Sequence, residues 1–320
     1  MALRVLSKYR RKNTRTRKRR NSIKKRTYKR PIKMIGGRNS SADQSPVKKL
    51  VSSLAFRNIC KNSTRETYNM SIVDKSSLED NDMIFIHTAD IQKFLNPPPV
   101  VGKRLTFIIH DSDITFDDNL MSLLEPYSIN TYAANSSAKN AKQIPLGFRD
   151  NIYTPHSDLE DVMNDPSKTS EKSILCLVNF LVHKTVDERA KARDYFNDKV
   201  WAKKQDEYMN YSAEKATNFK NQETIQKRLD YYARLKQTKF TVCPIGTGID
   251  THRVYETLYF GGIPIIKTSF LDPMYERLGG CWIIKDWSEV TEEECNKRWD
   301  NKMTSPLNRN LLYNVKDWIV

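Results

Sequence analysis

Apolar and polar positions alternate in blocks along this chain, and the blocks have the lengths of strands and helices. Residues 174–180, ILCLVNF, are a near-continuous apolar run, as expected of a parallel strand buried on both faces. Residues 187–196 read as a charged amphipathic helix, and residues 222–235 as another that leads into the apolar positions Phe240, Val242 and Cys243. One more helical stretch separates that run from residues 263–266, and the order expected for the domain is β-α-β-α-β-α-β. Such an order predicts a doubly wound sheet, in which ligands bind outside the carboxyl ends of the strands. Earlier, residues 83–86 and 105–109 are short β-rich runs ending at His87 and His110. With residues 129–133, which precede the turn Ile144-Pro145-Leu146-Gly147, they predict a small parallel α/β domain.

The polar blocks set the expected boundaries. Residues 157–172, with Pro166, have the composition of an interdomain linker. Residues 39–82 are polar except for a helical patch around 50–60, as in a linker followed by a docking segment. The domains expected are therefore 1–38, 39–165, 166–305 and 306–320, the last a terminal helix packing back. No internal repeat is visible.

Charge divides the chain more sharply than hydropathy does. The first 38 residues hold 17 of its 54 Lys and Arg and none of its 38 Asp and Glu, so the +16 net charge belongs to this arm. The arm is too polar to bury a core and is predicted disordered. It suits nucleic acid or another polyanion, an anionic membrane or a localisation role, and equally a solubilising tail. Its ending, Met-Ile-Gly-Gly, resembles leaders on proteins of giant DNA viruses, which implies a viral origin. No apolar run approaches the ~18 residues of a membrane span, and no signal peptide opens the chain. The expectation is a soluble cytoplasmic protein that is not secreted. Its cysteines (Cys60, Cys176, Cys243, Cys281, Cys295) are scattered, which points to reduced thiols and no zinc site.

The densest chemistry lies in residues 240–266, FTVCPIGTGIDTHRVYETLYFGGIPII. An apolar run ends in a turn with Gly246 and Gly248, Asp250 stands where a helix N-cap belongs, and Gly261-Gly262 closes the helix before the next apolar run. A glycine turn opening a helix offers free N–H groups and the positive end of the helix dipole, which suits a phosphate or diphosphate. Arg253 and Glu256, three apart, share a helix face. The glycines alone also fit a plain tight turn with a solvated ion pair.

The composite string GTGIDTHRVYETLYFGGIPII resembles the nucleotide-sugar-binding motif of exostosin-like glycosyltransferases. There a Gly-x-Gly turn, an Asp, an Arg and a Glu precede a Gly and an Ile-Pro strand at this spacing. The following KTSFLDPMYERLGGCWIIKDWSEV resembles the family's next helix, strand and acidic turn. The resemblance is firm over residues 173–294, thin over 82–150 and absent from the basic arm. It implies a GT-B-like α/β fold, with two Rossmann-like domains whose parallel sheets face a cleft. It also implies a sugar transferase using a nucleotide sugar, most simply a UDP-sugar, on a glycan or glycoprotein hydroxyl. Cellular exostosins carry a membrane anchor, and none is expected here.

In that scheme Arg253 binds the donor diphosphate, assisted by backbone N–H groups around Gly246, Thr247 and Gly248. The resemblance implies that Glu256 accepts from the ribose hydroxyls. Asp250 reads as a helix cap more than a sugar ligand, and His252 as a loop-shaping group or a partner of Glu256. Gly248 stands eight residues before Glu256, where many retaining GT-B enzymes carry a second glutamate, so inverting transfer fits better. Inversion needs a general base from the first domain, and His110-Asp111-Ser112-Asp113 gathers titratable groups at a strand end. Asp113, Asp111 and His110 are the candidates, with His87 behind them; Asp111 and Asp113 as simple turn and cap residues is the competing account. No cofactor or metal is expected, although Asp-Ser-Asp keeps a metal reading open. Two other functions remain: the same transferase acting on nucleic acid held by the basic arm, and a non-catalytic virion or structural protein.

Overall fold

The structure, a computed structural model, describes residues 50–66, 69–70, 73–99, 102–149, 171–182, 186–204 and 222–319. The basic arm, and all of the 157–172 linker except its last two residues, lie outside the described residues. Five strands form a first, wholly parallel sheet: β1 (Asn62–Ser63), β4 (Met83–His87), β5 (Leu105–His110), β6 (Ser128–Ala133) and β7 (Lys142–Gln143), side by side in chain order. Between the first two of these, β2 (Arg65–Glu66) and β3 (Asn69–Met70) make a separate antiparallel ribbon.

Parallel crossovers are right-handed, so strands laid down in one direction put every connection on the same face. Here that face receives the helices α2 (Ile91–Phe94) and α3 (Asp118–Leu124). Ile91, Phe94, Met121 and Leu124 pack on Ile84, Ile86, Phe107 and Ile109. Asp117 caps α3, accepting from the Leu120 N–H at 3.0 Å. The alternate residues Phe85, Ile108 and Tyr132 point to the opposite face, as the two-residue period of a strand requires.

The second sheet is also wholly parallel, with strands β8 (Ile174–Val178), β9 (Ala202–Lys204), β10 (Thr238–Val242), β11 (Ile263–Lys267) and β12 (Trp282–Ile284). Their spatial order is β12-β11-β10-β8-β9. The chain steps outward from β8 to β9, then returns across β8 to build the rest, so the winding reverses between β8 and β10. Helix α4 (Asp187–Phe196) therefore covers one face, and α5 (Gln222–Lys236), α6 (His252–Tyr259) and α7 (Asp272–Leu278) the other. Ala192 and Phe196 of α4 pack with Cys176, Val178, Phe240, Val242 and Ile265. Helix α8 (Glu292–Asp300) completes that layer through Cys295, with Thr291 as its cap at 3.1 Å from the Glu294 nitrogen.

The two sheets share one hydrophobic core. Phe85, Ile108 and Tyr132 pack in the same cluster as Val254, Tyr255 and Leu258 of α6 and Met274, Tyr275 and Leu278 of α7. The short helix α1 (Ser53–Asn58) joins through Phe56, and the C-terminal segment through Leu311, Leu312, Val315 and Trp318. That segment is a four-residue helix, α9 (Asn310–Tyr313), followed by a 3-10 turn at Val315–Trp318, in place of the continuous terminal helix expected within residues 306–320. No helix among the described residues is long and apolar enough to cross a membrane.

Candidate functional site

The winding of the second sheet reverses between β8 and β10, and the loops leaving those strands flank that point. After β10 the chain turns through Gly246 and Gly248, with the Gly246 N–H donating to the Gly248 carbonyl at 2.9 Å. A Cβ on Gly248 would stand 3.0 Å from Asn135 Nδ2 and 3.2 Å from Asp113 Oδ1. The first sheet thus comes to within van der Waals distance of the glycine turn through its own strand-end loops. Asn135 locks this approach: its Oδ1 accepts from the Asp250 N–H at 2.7 Å, and its Nδ2 donates to the Ser112 carbonyl at 3.1 Å. It is fully buried and has a positive φ of 52°, a conformation Asn tolerates better than most residues.

The four sequence candidates of the first sheet fare differently. His110 is buried with both ring nitrogens engaged, Nε2–H donating to the Pro145 carbonyl at 3.0 Å and Nδ1 accepting from the Asp111 N–H at 2.7 Å. Burial drives its pKa down to about 3 despite the Pro145 bond. A neutral imidazole so placed has no lone pair to offer an acceptor hydroxyl. Asp111, at φ 62°, faces Arg57, whose Nη2 lies 3.5 Å from its carboxylate. His87, beside His110 in register, accepts from the Ala89 N–H at 3.2 Å and caps a 3-10 turn. Asp113 is exposed and lies against Gly248.

Asp250 was expected to cap α6, but the N-cap is Thr251. The Asp250 carboxylate instead gathers four donors: the Leu146 and Thr251 N–H groups at 2.7 and 2.8 Å, and the Tyr255 and Tyr275 hydroxyls at 2.5 and 2.9 Å. Burial still raises its pKa to about 6, with those donors pulling the other way. His252 donates from Nδ1–H to the Gly147 carbonyl, 2.8 Å away, so this contact reaches into the first half of the chain.

Arg253 and Glu256, one turn apart, have separate surroundings. Glu256 is 3% exposed, and its carboxylate meets the Tyr231 hydroxyl at 3.0 Å, the Tyr232 hydroxyl at 3.4 Å and Arg228 at 3.6 Å, all from α5. It joins α5 to α6. Arg253 is half-buried, and its Nε is shielded from solvent without a hydrogen-bond partner, as is Oγ1 of the adjacent cap residue Thr251. Two polar atoms left unsatisfied at the opening of one helix suit a polar ligand.

Arg189 of α4, which the sequence did not single out, completes the turn's surroundings. Burial first, and then the charge of Arg253, lowers its pKa to about 10, while Asp113 acts in the opposite sense. No sequence signal marked it, since an arginine on a charged helix looks like a solvated one. Among the described residues no group of three or more His, Cys, Asp or Glu could hold a metal ion; Asp111 and Asp113 face different partners.

Residues 160–298 match the family model described as the RXYLT1 C-terminal domain, and the match supports a glycosyltransferase. The matched span is less than half of the chain. It takes in the glycine turn, Arg189, Arg253 and Glu256, and leaves out the first sheet with Asp111 and Asp113. No curated protein matches the chain.

Proposed function

We propose that the chain is an exostosin-like glycosyltransferase of GT-B type. It moves a sugar from a nucleotide donor, most simply a UDP-sugar, to a glycan or glycoprotein hydroxyl with inversion. The observation that carries this is the start of α6, where Arg253 Nε and Thr251 Oγ1 are buried and unsatisfied beside a glycine turn at the switch point. The match over residues 160–298 supports the transferase chemistry of that same segment.

The donor's diphosphate lies at the turn in this proposal. Arg253 makes charge-assisted hydrogen bonds that strengthen as the leaving diphosphate gains charge in the transition state. Asp113, the exposed carboxylate at Gly248, takes the acceptor proton as general base. A ribose hydroxyl reaches Glu256 only by competing with Tyr231 and Tyr232 for its carboxylate.

Donor turnover by the full chain tests the assignment, read as nucleoside diphosphate released from a panel of nucleotide sugars. Arg253→Ala is expected to remove about 2–4 kcal/mol of transition-state stabilisation, seen in kcat/KM. A mutant that turns over at the wild-type rate would remove Arg253 from the site.

A further inference from the structure

Arg189 is held in a way that a solvated helix arginine is not. Its Nε donates to the Ile245 carbonyl at 2.9 Å and its Nη1 to the Leu181 carbonyl at 3.1 Å. Leu181 follows β8 and Ile245 follows β10, so the guanidinium ties together the two loops that flank the switch point. The remaining nitrogen, Nη2, lies 2.8 Å from where a Cβ on Gly246 would stand, against the glycine turn itself. Two of the three nitrogens fix the group, and the third is presented to the turn.

Arg253 stands in the first turn of α6, five residues after Gly248, and its charge acts on Arg189. Two guanidiniums are thereby kept within electrostatic range of each other in half-buried surroundings, with Asp113 the acid that acts on Arg189. Like charges held together by separate scaffolds are unfavourable unless an anion bridges them. A single phosphate needs one such fork; a diphosphate offers two groups of oxygens, one for each.

We propose that Arg189 is the second diphosphate-binding residue, and that the Arg189–Arg253 pair makes the site select nucleoside diphosphates over nucleoside monophosphates. This rests on the donor site proposed above and adds a residue and a specificity to it. Among the described residues no hydrogen bond holds Arg253 Nε, whereas Arg189 is fixed before any ligand arrives, so Arg189 contributes pre-organised charge at little ordering cost.

Calorimetric titration of the full chain with UDP, UMP, pyrophosphate and inorganic phosphate tests it. Wild type should bind UDP more tightly than UMP, and pyrophosphate more tightly than phosphate, by on the order of 10- to 100-fold. Arg189→Ala should erase most of that preference, weakening UDP and pyrophosphate while UMP and phosphate shift by less than about threefold. Arg189→Lys, which restores charge without the planar fork, should recover part of it. If removing the carbonyl bonds unfolds Arg189→Ala, the lysine variant and the wild-type preference still decide. A wild type that binds phosphate as tightly as pyrophosphate overturns the proposal, as does a lysine variant with the full wild-type preference. Pyrophosphate binding that depends on Arg189, with no binding of any nucleoside diphosphate, would keep the anion site and sink the nucleotide-sugar reading instead.

Discussion

The first sheet lays its strands down in one direction, and the second reverses direction after two. That single difference in winding decides what each can do. In the first, α2 and α3 fall on one face, and the other face, with Phe85, Ile108 and Tyr132, is left for elements from elsewhere in the chain. It has no switch point, so its strand ends open onto no crevice of their own. In the second, the reversal between β8 and β10 parts the loops that follow those strands, and the glycine turn, Arg189 and Arg253 collect there. The acids of the first sheet become relevant only because its face is buried against α6 and α7, which brings Asp113 to Gly248. In the proposed reading, one sheet builds the anion site and the other brings a carboxylate to it.

The largest expected effect tests whether that carboxylate does chemistry. If Asp113 is the general base, Asp113→Asn should lower kcat by about 10²–10⁴-fold and leave donor affinity nearly intact. Asp111→Asn, whose carboxylate already faces Arg57, should change turnover little. The opposite pattern, tighter donor binding with kcat preserved, would make Asp113 only a counter-charge to the arginines.

The next effect tests the seam itself. Gly147 has φ +76°, and a Cβ there would stand 2.3 Å from the Val51 carbonyl oxygen. That carbonyl also accepts from the Phe148 N–H at 2.7 Å, and the Gly147 carbonyl meets His252 of α6. Gly147→Ala therefore adds both backbone strain and a clash with backbone, and should cost about 3 kcal/mol of stability, read as a lower denaturation midpoint. Gly102, at φ +92° with nothing within 4 Å of a Cβ, separates the two causes: Gly102→Ala carries strain alone and should cost about 1–2 kcal/mol. Equal losses in the two variants would mean that the close approach at Val51 contributes nothing.

Much of this was legible in the sequence where the signal is local. The strands β4, β5 and β8 form apolar runs, β6 falls on the short run read at residues 129–133, and α4 occupies residues 187–196 as its charge pattern predicts. The edge strand β9, Ala-Lys-Lys, was not legible, because it joins the sheet by backbone pairing to β8 and presents one buried side chain. The strand β7, Lys-Gln, also joins by backbone pairing, to β6, and has no buried side chain at all. At the site, the glycine turn and the charged face of α6 could be read, but the partners could not. Asp250 looks like a helix cap because an acid before a helix usually is one; its donors come instead from Leu146, Tyr255 and Tyr275. His252 and Glu256 have the spacing of a helical pair, yet Gly147 and the tyrosines of α5 take them. Arg189 acquires its place only from two carbonyls, and carbonyls leave no mark on a sequence.

The smallest effect expected is a pH signature with opposite signs on the two sides of the seam. His110, at the end of a first-sheet strand, is pushed by burial from an ordinary value of 6.5 to about 3. A depressed histidine contributes stability that is present above 6.5 and lost as pH falls toward 3, because the unfolded state takes up the proton first. Asp250, in the loop of the second sheet, is raised by burial from 3.8 to about 6. Its contribution runs the other way: present below 3.8, and lost as pH rises through 6. Between about pH 4 and 6 the two oppose each other, and the larger displacement of His110 should leave the protein melting lower at pH 4 than at pH 7. His110→Gln keeps an N–H donor for the Pro145 carbonyl but does not titrate, so it should narrow that difference. Asp250→Asn removes the opposing contribution and should widen it. Melting curves of the three proteins at both pH values check the signs. A His110→Gln profile superimposable on wild type would mean that the imidazole is not held neutral between Pro145 and Asp111.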